Sequence, residues 1–297
     1  MSRSYKTTGI NLKGMPMGES DRLLTILTIE HGLIRAIAPG ARKHKSRLGG
    51  RSGQFVVNDL LVVQGKKLDK VIQAETVQSF PQLATDLIRL TASQYLAELV
   101  LGQALSGQPQ EALFTLFVEH LSRLEQAPTA GVLASLCQGI FHLLTLAGVA
   151  PEVRQCCVSQ VAITPDLSQV GGQVGFSAAA GGIVRTDLLH QLPTTTRSRG
   201  PRTAPGRYAV KGSMRSVDGM ETTLISAAEL ALLQRLGSSE LISSQPQTAS
   251  LTHAQATNPL WQRIERLLRH YVQHHFDRPI RSASLIDTCF ALPVTPD

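Results

Sequence analysis

The sequence predicts an α+β multidomain chain: a small five-stranded β-barrel followed by an α-helical domain with an irregular insertion. Three observations predict it. Apolar runs rich in β-formers recur through the first 80 residues at roughly 10–12-residue spacing. From Pro81 the apolar period becomes helical. The charge divides at the same place. Of the chain's 29 Lys+Arg and 22 Asp+Glu, residues 1–80 hold 13 and 6, so the whole formal net charge of +7 belongs to the first 80 of 297 residues. A basic front on a neutral back points to a polyanionic partner for the front.

The strands read in order as follows. Tyr5–Leu12 alternates loosely. Arg22–Ile29 (RLLTILTI) is a β-rich apolar run, and Glu30-His31-Gly32 is a turn. Leu33–Ala38 (LIRAIA) is the third strand, with Arg35 facing away from Ile34 and Ala36. Gln54–Val63 and Lys70–Phe80 supply the fourth and fifth, joined through Gln64-Gly65-Lys66-Lys67. Five strands with the longest insertion between the third and fourth is the OB-fold layout. Residues 1–80 are therefore expected to form an OB-fold binding domain and residues 81–297 a helical one.

In the helical part, Leu83, Leu87, Leu90, Leu96, Leu99 and Val100 mark one or two helices. Pro109 stands where a first-turn proline would, ahead of Leu113, Leu116, Phe117, Leu121 and Leu124. Thr129–Val149 is a more apolar helix, stopped by Gly148 and Pro151. Residues 151–220 are rich in Gly, Pro, Ser and Thr and read as irregular or linker. Ser226 and Glu229 have the spacing of a capping box, which starts another helix. Asn258-Pro259 opens the last one. Leu260, Ile264, Leu267, Leu268, Tyr271 and Val272 form its apolar stripe, with Arg263, Arg266 and Arg269 expected outside.

The stretch GARKHKSRLGG, Gly40–Gly50, concentrates Arg42, Lys43, Lys45 and Arg47 with no acid. On a small barrel, Arg35, Arg51, Lys66, Lys67 and Lys70 fall within reach of it. Lysine and arginine neutralise phosphates and release condensed counterions, which needs charge density more than exact geometry. The competing reading is a solvated loop that happens to be basic. Residues 1–80 offer only Tyr5, Phe55 and Phe80 as rings for stacking, so binding through the backbone with little sequence preference is expected. A second basic stretch, Arg197, Arg199, Arg202, Arg207, Lys211 and Arg215, is either a mobile arm or a plain insertion.

Catalytic signatures are scarce. Gly65-Lys66 looks like the end of a phosphate-binding loop, but five positions before Gly65 stands Leu60, not glycine. There is no Gly-x-Ser-x-Gly elbow and no His-Glu-x-x-His. Cys156 and Cys157 are adjacent, unlike the Cys-x-x-Cys of a zinc knuckle, and Cys137 and Cys289 are isolated. His270 and His274 stand four apart on an arginine-rich helix, more a polar face than a metal pair. No apolar run reaches the length of a membrane span; Ile140–Ala150 is the best candidate and carries His142. The opening MSRSYKTTG has no apolar core and reads as lacking a signal peptide, so a cytoplasmic, nucleoid-associated chain is expected.

Several segments together resemble the bacterial recombination mediator family RecO. GESDRLLTILTIEHGLIRAIAPGARKHKSRLGG, Gly18–Gly50, is similar to that family's N-terminal region. LAGVAPEVRQCCVSQ (Leu146–Gln160) and GFSAAAGGIV (Gly175–Val184) resemble the two approaches to its metal knuckle. LLRHYVQHHFDRPIRS, Leu267–Ser282, resembles its last helix and tail. Members with zinc carry two Cys-x-x-Cys pairs. Here Cys156 is followed by Ser159, and the second pair would fall near Arg185 and Leu188, so no metal and no cofactor is expected. The resemblance implies an OB-fold and helical domain that binds single- and double-stranded DNA and anneals strands. With RecR it would help load RecA onto DNA coated by single-strand-binding protein, whose acidic C-terminal tail would be a further partner. A groove flanked by Arg or Lys, such as the Arg263/Arg266/Arg269 face, would suit that tail. The alternative is an enzyme, a nuclease or phosphatase docked by the barrel, but Glu19, Asp21, Glu30, Asp59 and Asp69 are scattered and make no clear Mg²⁺ site.

Overall fold

In the computed structural model, which describes residues 4–167, 173–192, 222–238 and 251–290, the first five strands close on themselves. They are β1 (Ser4–Met17), β2 (Asp21–Thr28), β3 (Gly32–Ala38), β4 (Val57–Val63) and β5 (Asp69–Gln78), in the order β1-β2-β3-β5-β4. β3 and β5 pair in parallel over only Ala36↔Asp69 and Ile37↔Lys70, and every other seam is antiparallel. This is the OB-fold order. Leu24, Ile26, Leu60, Val62 and Val71 fill the interior together with Ala36, Ala38, Ala41 and Ala74. A five-stranded barrel is narrow, and alanines let the strands converge.

Two strand ends differ from the sequence reading. β1 does not stop at Leu12 but bulges between Asn11 and Lys13 and runs on to Met17, paired with β2. Lys13–Met17 are exposed throughout, so no alternation marks them as strand. β4 starts at Val57 rather than Gln54, because Phe55 takes a left-handed backbone (φ 61°). Its ring is buried and meets Phe117 edge-on, with centroids 6.2 Å apart.

The helical body is built from α1 (Leu87–Gln103), α2 (Glu111–Gln126), α3 (Val132–Leu146), α4 (Ala227–Arg235), α5 (Leu251–Phe276) and α6 (Ala283–Cys289). Pro109 stands before the α2 cap, Gln110, rather than inside the first turn. The capping box of α4 forms: Ser226 Oγ accepts from Glu229 N at 3.3 Å, and a Glu229 oxygen accepts from Ser226 N at 2.7 Å. α5 begins at Leu251, with Pro259 inside it rather than at its start. α3 is the central helix, with Leu136, Cys137, Ile140, Leu143 and Leu144 fully buried. The stretch Thr129–Leu146 is long and apolar enough to cross a bilayer, contrary to the sequence reading, but 72% of it is buried inside the fold, the place of a core helix.

Barrel and helices share one core. Ile10, Leu12, Leu27, Phe55 and Val57 join Tyr95, Phe117, Leu121 and Leu133. The β2–β3 turn is also hydrogen-bonded to the α1–α2 connection, through Leu33 N to Leu105 O (2.8 Å), Gly107 N to His31 O (2.9 Å) and Gln110 N to Ile29 O (2.8 Å). Gly32 makes that approach possible. Its φ is +65°, and a Cβ there would stand 2.1 Å from Leu105 O.

The region expected to be irregular holds a small antiparallel sheet: β6 (Gln173–Ser177), β7 (Gly182–Val184) and β8 (Thr222–Ser226), in the order β7-β6-β8. Strands this short carry too few alternations to be read from sequence. The second basic stretch, Arg197 to Arg215, lies outside the described residues.

Arg269 is inside, not outside. It is 4% exposed and lies on the same helical stripe as Leu268 and Val272. Its guanidinium donates to both Glu265 oxygens (2.9 and 2.5 Å) and to Asp287 on α6 (2.7 Å). A buried pair is costly to break from one side, because the remaining charge has no water to replace its partner. Glu265→Ala is expected to lower the unfolding free energy by about 3–5 kcal/mol, measured by urea denaturation. The double variant Glu265→Leu/Arg269→Met should recover most of that loss.

Candidate nucleic-acid interface

Eight of the nine basic residues picked out by sequence are exposed: Arg35, Arg42, Lys43, Lys45, Arg47, Lys66, Lys67 and Lys70; Arg51 is half-buried. The β3–β5 seam relates them. Arg35 and Lys70 point outward because their neighbours Ala36 and Val71 are buried in the barrel, and Lys70 lies beside Ile37. Lys66 and Lys67 precede β5 at one end of the seam. The Gly40–Arg51 loop follows β3 at the other. Among the described residues, none of the nine has a carboxylate within ion-pair distance; every ion pair lies beyond residue 80. Of the barrel's acids, Asp59 and Glu75 stand directly opposite each other on β4 and β5, while Asp21 and Asp69 lie beside the cations and accept from Gly40 N and from Tyr5 Oη.

The register adds residues the sequence reading missed. Facing partners in adjacent strands share one side of a sheet. One outward row runs Lys13–Thr25–Arg35, and the next runs Met15–Leu23–Ile37–Lys70. Lys13 and Met15 could not be placed on this face from sequence, because the bulge at Leu12 resets the alternation. Arg22 was missed as well. It faces Pro16 on the other side of the hairpin, and its guanidinium donates to Ser52 O (3.2 Å) and Ser52 Oγ (3.1 Å).

The basic loop is tied down at its base. Gly40 N donates to Asp21 Oδ1 (2.8 Å), Arg42 N to Ser20 O (2.8 Å), and the Arg42 guanidinium to Gly18 O and Glu19 O (3.0 and 3.3 Å). The bond from Gly40, and then that from the Ser20 hydroxyl, hold the Asp21 carboxyl below the usual carboxylate value. Arg51 donates to Arg47 O at 3.1 Å. Arg42 and Arg51 thus shape the loop as well as charge it.

At the other end of the seam is a hollow of about 490 Å³. It is lined by Tyr5, His31, Leu33, Ile34, Arg35, Gln64, Lys67 and Asp69, and closed by Ser106 and Gly107. A second, larger groove of about 560 Å³ lies where the barrel meets α1 and the tail of α5. Lys13, Arg278 and Arg281 border it, with Leu99, Leu101, Phe276 and Ile280 on its walls and Glu98 within it. The Arg263/Arg266/Arg269 face does not serve as a free cationic rim. Arg263 pairs with Glu229 (2.5 Å) and Arg266 with Asp287 (3.6 Å), and Arg269 is buried. The sequence shows the arginines but not the carboxylates that reach them from other helices, Glu229 on α4 and Asp287 on α6.

The knuckle region does not fit a zinc ion. Cys156 is buried and its Sγ accepts from Ser159 N (3.5 Å) and Arg185 N (3.4 Å), an arrangement that suits a thiolate ligand. Burial pushes its pKa up, but the Ser159 hydroxyl and then the backbone N–H groups of Ser159, Arg185 and Val158 outweigh it and hold the thiol at about 7. The remaining ligand positions are Ser159, Arg185 and Leu188. Val184, Leu189, Leu188 and Leu192 pack around Cys156 instead. Burial and nearby Glu152 push Cys157 up to about 11. Among the described residues, no three of His, Cys, Asp and Glu converge to hold a metal ion, His270 and His274 included.

A closed OB barrel, cationic along one seam and seated on a helical body, defines a protein built to meet nucleic acid. The comparisons narrow this. Residues 1–80 match the family model described as Recombination protein O N terminal, and residues 84–183 match Recombination protein O C terminal. The chain is 52% identical over 298 residues to the DNA repair protein RecO of Acaryochloris marina, spanning 98% of this chain and 96% of that one. It is 48% identical over 299 residues to that of Nostoc punctiforme, spanning 98% of each. Against that of Gloeobacter violaceus it is 42% identical over 288 residues, spanning 97% and 94%. The chain belongs to the RecO family of DNA repair proteins.

Asp21 is the pin of the basic loop. A carboxylate held below its ordinary pKa stabilises the fold above that value and loses its effect as pH falls through the lowered one. The Gly40 amide should therefore stay protected from hydrogen exchange at pH 4 and lose protection only in stronger acid. In Asp21→Ala, NMR-detected exchange at Gly40 should be fast at all pH while the β1–β4 amides remain slow.

Proposed function

We propose that the chain is a non-enzymatic recombination mediator that binds single- and double-stranded DNA and anneals complementary strands. Residues 1–80 are its DNA-binding domain and residues 81–297 its partner-binding domain. The carrying observation is a contrast in ion pairing: among the described residues none of the nine cations has a carboxylate within ion-pair distance, whereas Arg89, Arg123, Arg263 and Arg269 of the helical body are paired. Unpaired cations on one seam lower the repulsion between two phosphate backbones and leave the base edges free. That is what annealing asks of a protein, and it involves no bond cleavage. The reading as a nuclease or phosphatase finds no set of acids that could hold Mg²⁺ among the described residues.

In this reading the protein works in the cytoplasm with the nucleoid. It acts with RecR and loads RecA onto DNA coated by single-strand-binding protein. The acidic, apolar-ended tail of that coating protein suits the groove between barrel and helices. Leu99, Leu101, Phe276 and Ile280 would take its apolar end, and Lys13, Arg278 and Arg281 its carboxylates.

Both parts are testable. Substituting Arg42, Lys43, Lys45 and Arg47 together by Gln should leave the barrel folded by circular dichroism and weaken DNA binding measured by fluorescence anisotropy. With about five phosphates engaged, the single-strand log–log salt slope of the unaltered protein should be roughly −3 to −4, and the variant's slope should be shallower. Affinity equal to the parent's would remove the loop from the interface. Separately, Arg278→Glu/Arg281→Glu should abolish binding of an acidic tail peptide and stop annealing of coated strands, while annealing of bare strands continues.

A further inference from the structure

We propose that the hollow between Tyr5, His31, Arg35 and Lys67 receives one unstacked nucleobase of a bound single strand, with the adjoining phosphate held by Arg35 and Lys67. The inference rests on the DNA-binding reading and adds to it a base-binding site.

A nucleotide has a flat aromatic ring, a hydrogen-bonding edge and an anion, and the hollow has a counterpart for each. Tyr5 and His31 supply rings, with centroids 4.3 Å apart and planes tilted by 59°. A base lying on one ring meets the edge of the other, the offset arrangement that aromatic groups favour. Leu33 and Ile34 extend the apolar wall. Asp69 supplies acceptors for the amino and imino N–H groups of a base. It is fixed in place, since Tyr5 Oη donates to one oxygen at 2.5 Å and Gly65 N to the other at 3.1 Å. Gln64 adds both a donor and an acceptor. Arg35 and Lys67 belong to the cationic seam, so a strand following that seam passes this opening.

The size agrees as well. About 490 Å³ is enough for a base and its sugar, within the range of small-molecule sites. The walls are preformed. The β2–β3 turn that carries His31 is bonded to the α1–α2 connection, which contributes Ser106 and Gly107. A paired base cannot enter without leaving its duplex, which costs a few kcal/mol. The hollow therefore favours single strands over duplex, although the cationic seam alone does not. Tyr5 was visible in the sequence as one of three rings in the barrel, but nothing in the sequence joins it to His31, Lys67 and Ser106.

The test uses the full chain and a single-stranded oligonucleotide carrying 5-iododeoxyuridine, irradiated in complex and mapped by peptide mass spectrometry. A crosslink on Tyr5 or His31 is expected. Crosslinks confined to the Gly40–Arg51 loop, or found only in the helical body, would overturn the proposal. In parallel, Tyr5→Leu/His31→Leu should lose roughly tenfold in single-strand affinity, in keeping with one lost stacking contact. Its duplex affinity and salt slope should match the parent's. Tyr5→Phe, which keeps the ring but loses the bond that fixes Asp69, should lose less single-strand affinity than the double variant. Equal losses on single strand and duplex, or no loss on either, would also overturn it. If the unaltered protein fails to bind any DNA at low salt, the DNA-binding reading itself falls. Binding with the rings uninvolved sinks this inference alone.

Discussion

The barrel closes through a parallel ladder of two residue pairs, Ala36↔Asp69 and Ile37↔Lys70. Most of what is distinctive in the structure depends on that short seam. Had β3 and β5 stayed apart, the sheet would keep two open edges, and the cations before and after them would lie far from one another. Closure is possible because the facing interior positions are small: Ala36 and Ala38 on β3, Ala74 on β5 and Ala41 just beyond. Larger side chains there would push the strands apart. The ladder is short because the strands diverge from it at the barrel's twist. Its two ends therefore open onto different features, the basic loop at one and the Tyr5–His31 hollow at the other.

Charge follows the same geometry. In the helical body, arginine is structural: Arg89 pairs with Asp86, Arg123 with Glu119, Arg263 with Glu229, and Arg269 with Glu265 and Asp287. In the barrel, arginine and lysine are left to solvent along the seam, and the acids Asp59 and Glu75 face each other across β4 and β5, beyond the two-pair ladder. Like charges crowded on one surface repel, which costs the folded state some stability. The one carboxylate on the seam itself, Asp69, is held by Tyr5 Oη and Gly65 N rather than by a cation. The same division explains why net charge alone marked out the barrel in the sequence.

How far the sequence could be read follows from the range of the interactions involved. The barrel order, the capping box at Ser226 and the apolar stripe of α5 rest on local periodicity and were legible. The exposed basic loop was legible because all its charges lie within a dozen residues. What failed was non-local or broke the period. The bulge at Leu12 concealed the second half of β1, and with it Lys13 and Met15. The left-handed Phe55 moved the start of β4. Arg269 looked like an outward charge because its partner Asp287 lies on a helix with no clear signal of its own. The hollow combines residues from the starts of β1, β3 and β5 with the α1–α2 connection, a juxtaposition only the closed fold creates.

The region around Cys156 shows what holds a buried sulfur in place where, among the described residues, no metal-ligand set surrounds it. A zinc-bound thiolate is stabilised by the ion and by backbone N–H groups that point at its sulfur. Here Cys156 Sγ accepts from two such donors, Ser159 N and Arg185 N, with serine, arginine and leucine at Ser159, Arg185 and Leu188 rather than further ligands. What a metal would contribute to folding has to come from elsewhere. Leu188, Leu189 and Leu192 enclose Cys156 together with Val184, and the bonds Cys157 N to Ile183 O and Glu152 N to Gly181 O tie the two halves of the region together. Gly182 permits that contact, since a Cβ there would stand 2.1 Å from Glu152 O. Apolar packing and backbone pairing thus occupy the place of coordination. Unlike coordination, neither depends on the thiol being ionised, so the fold here need not change as Cys156 titrates near neutrality.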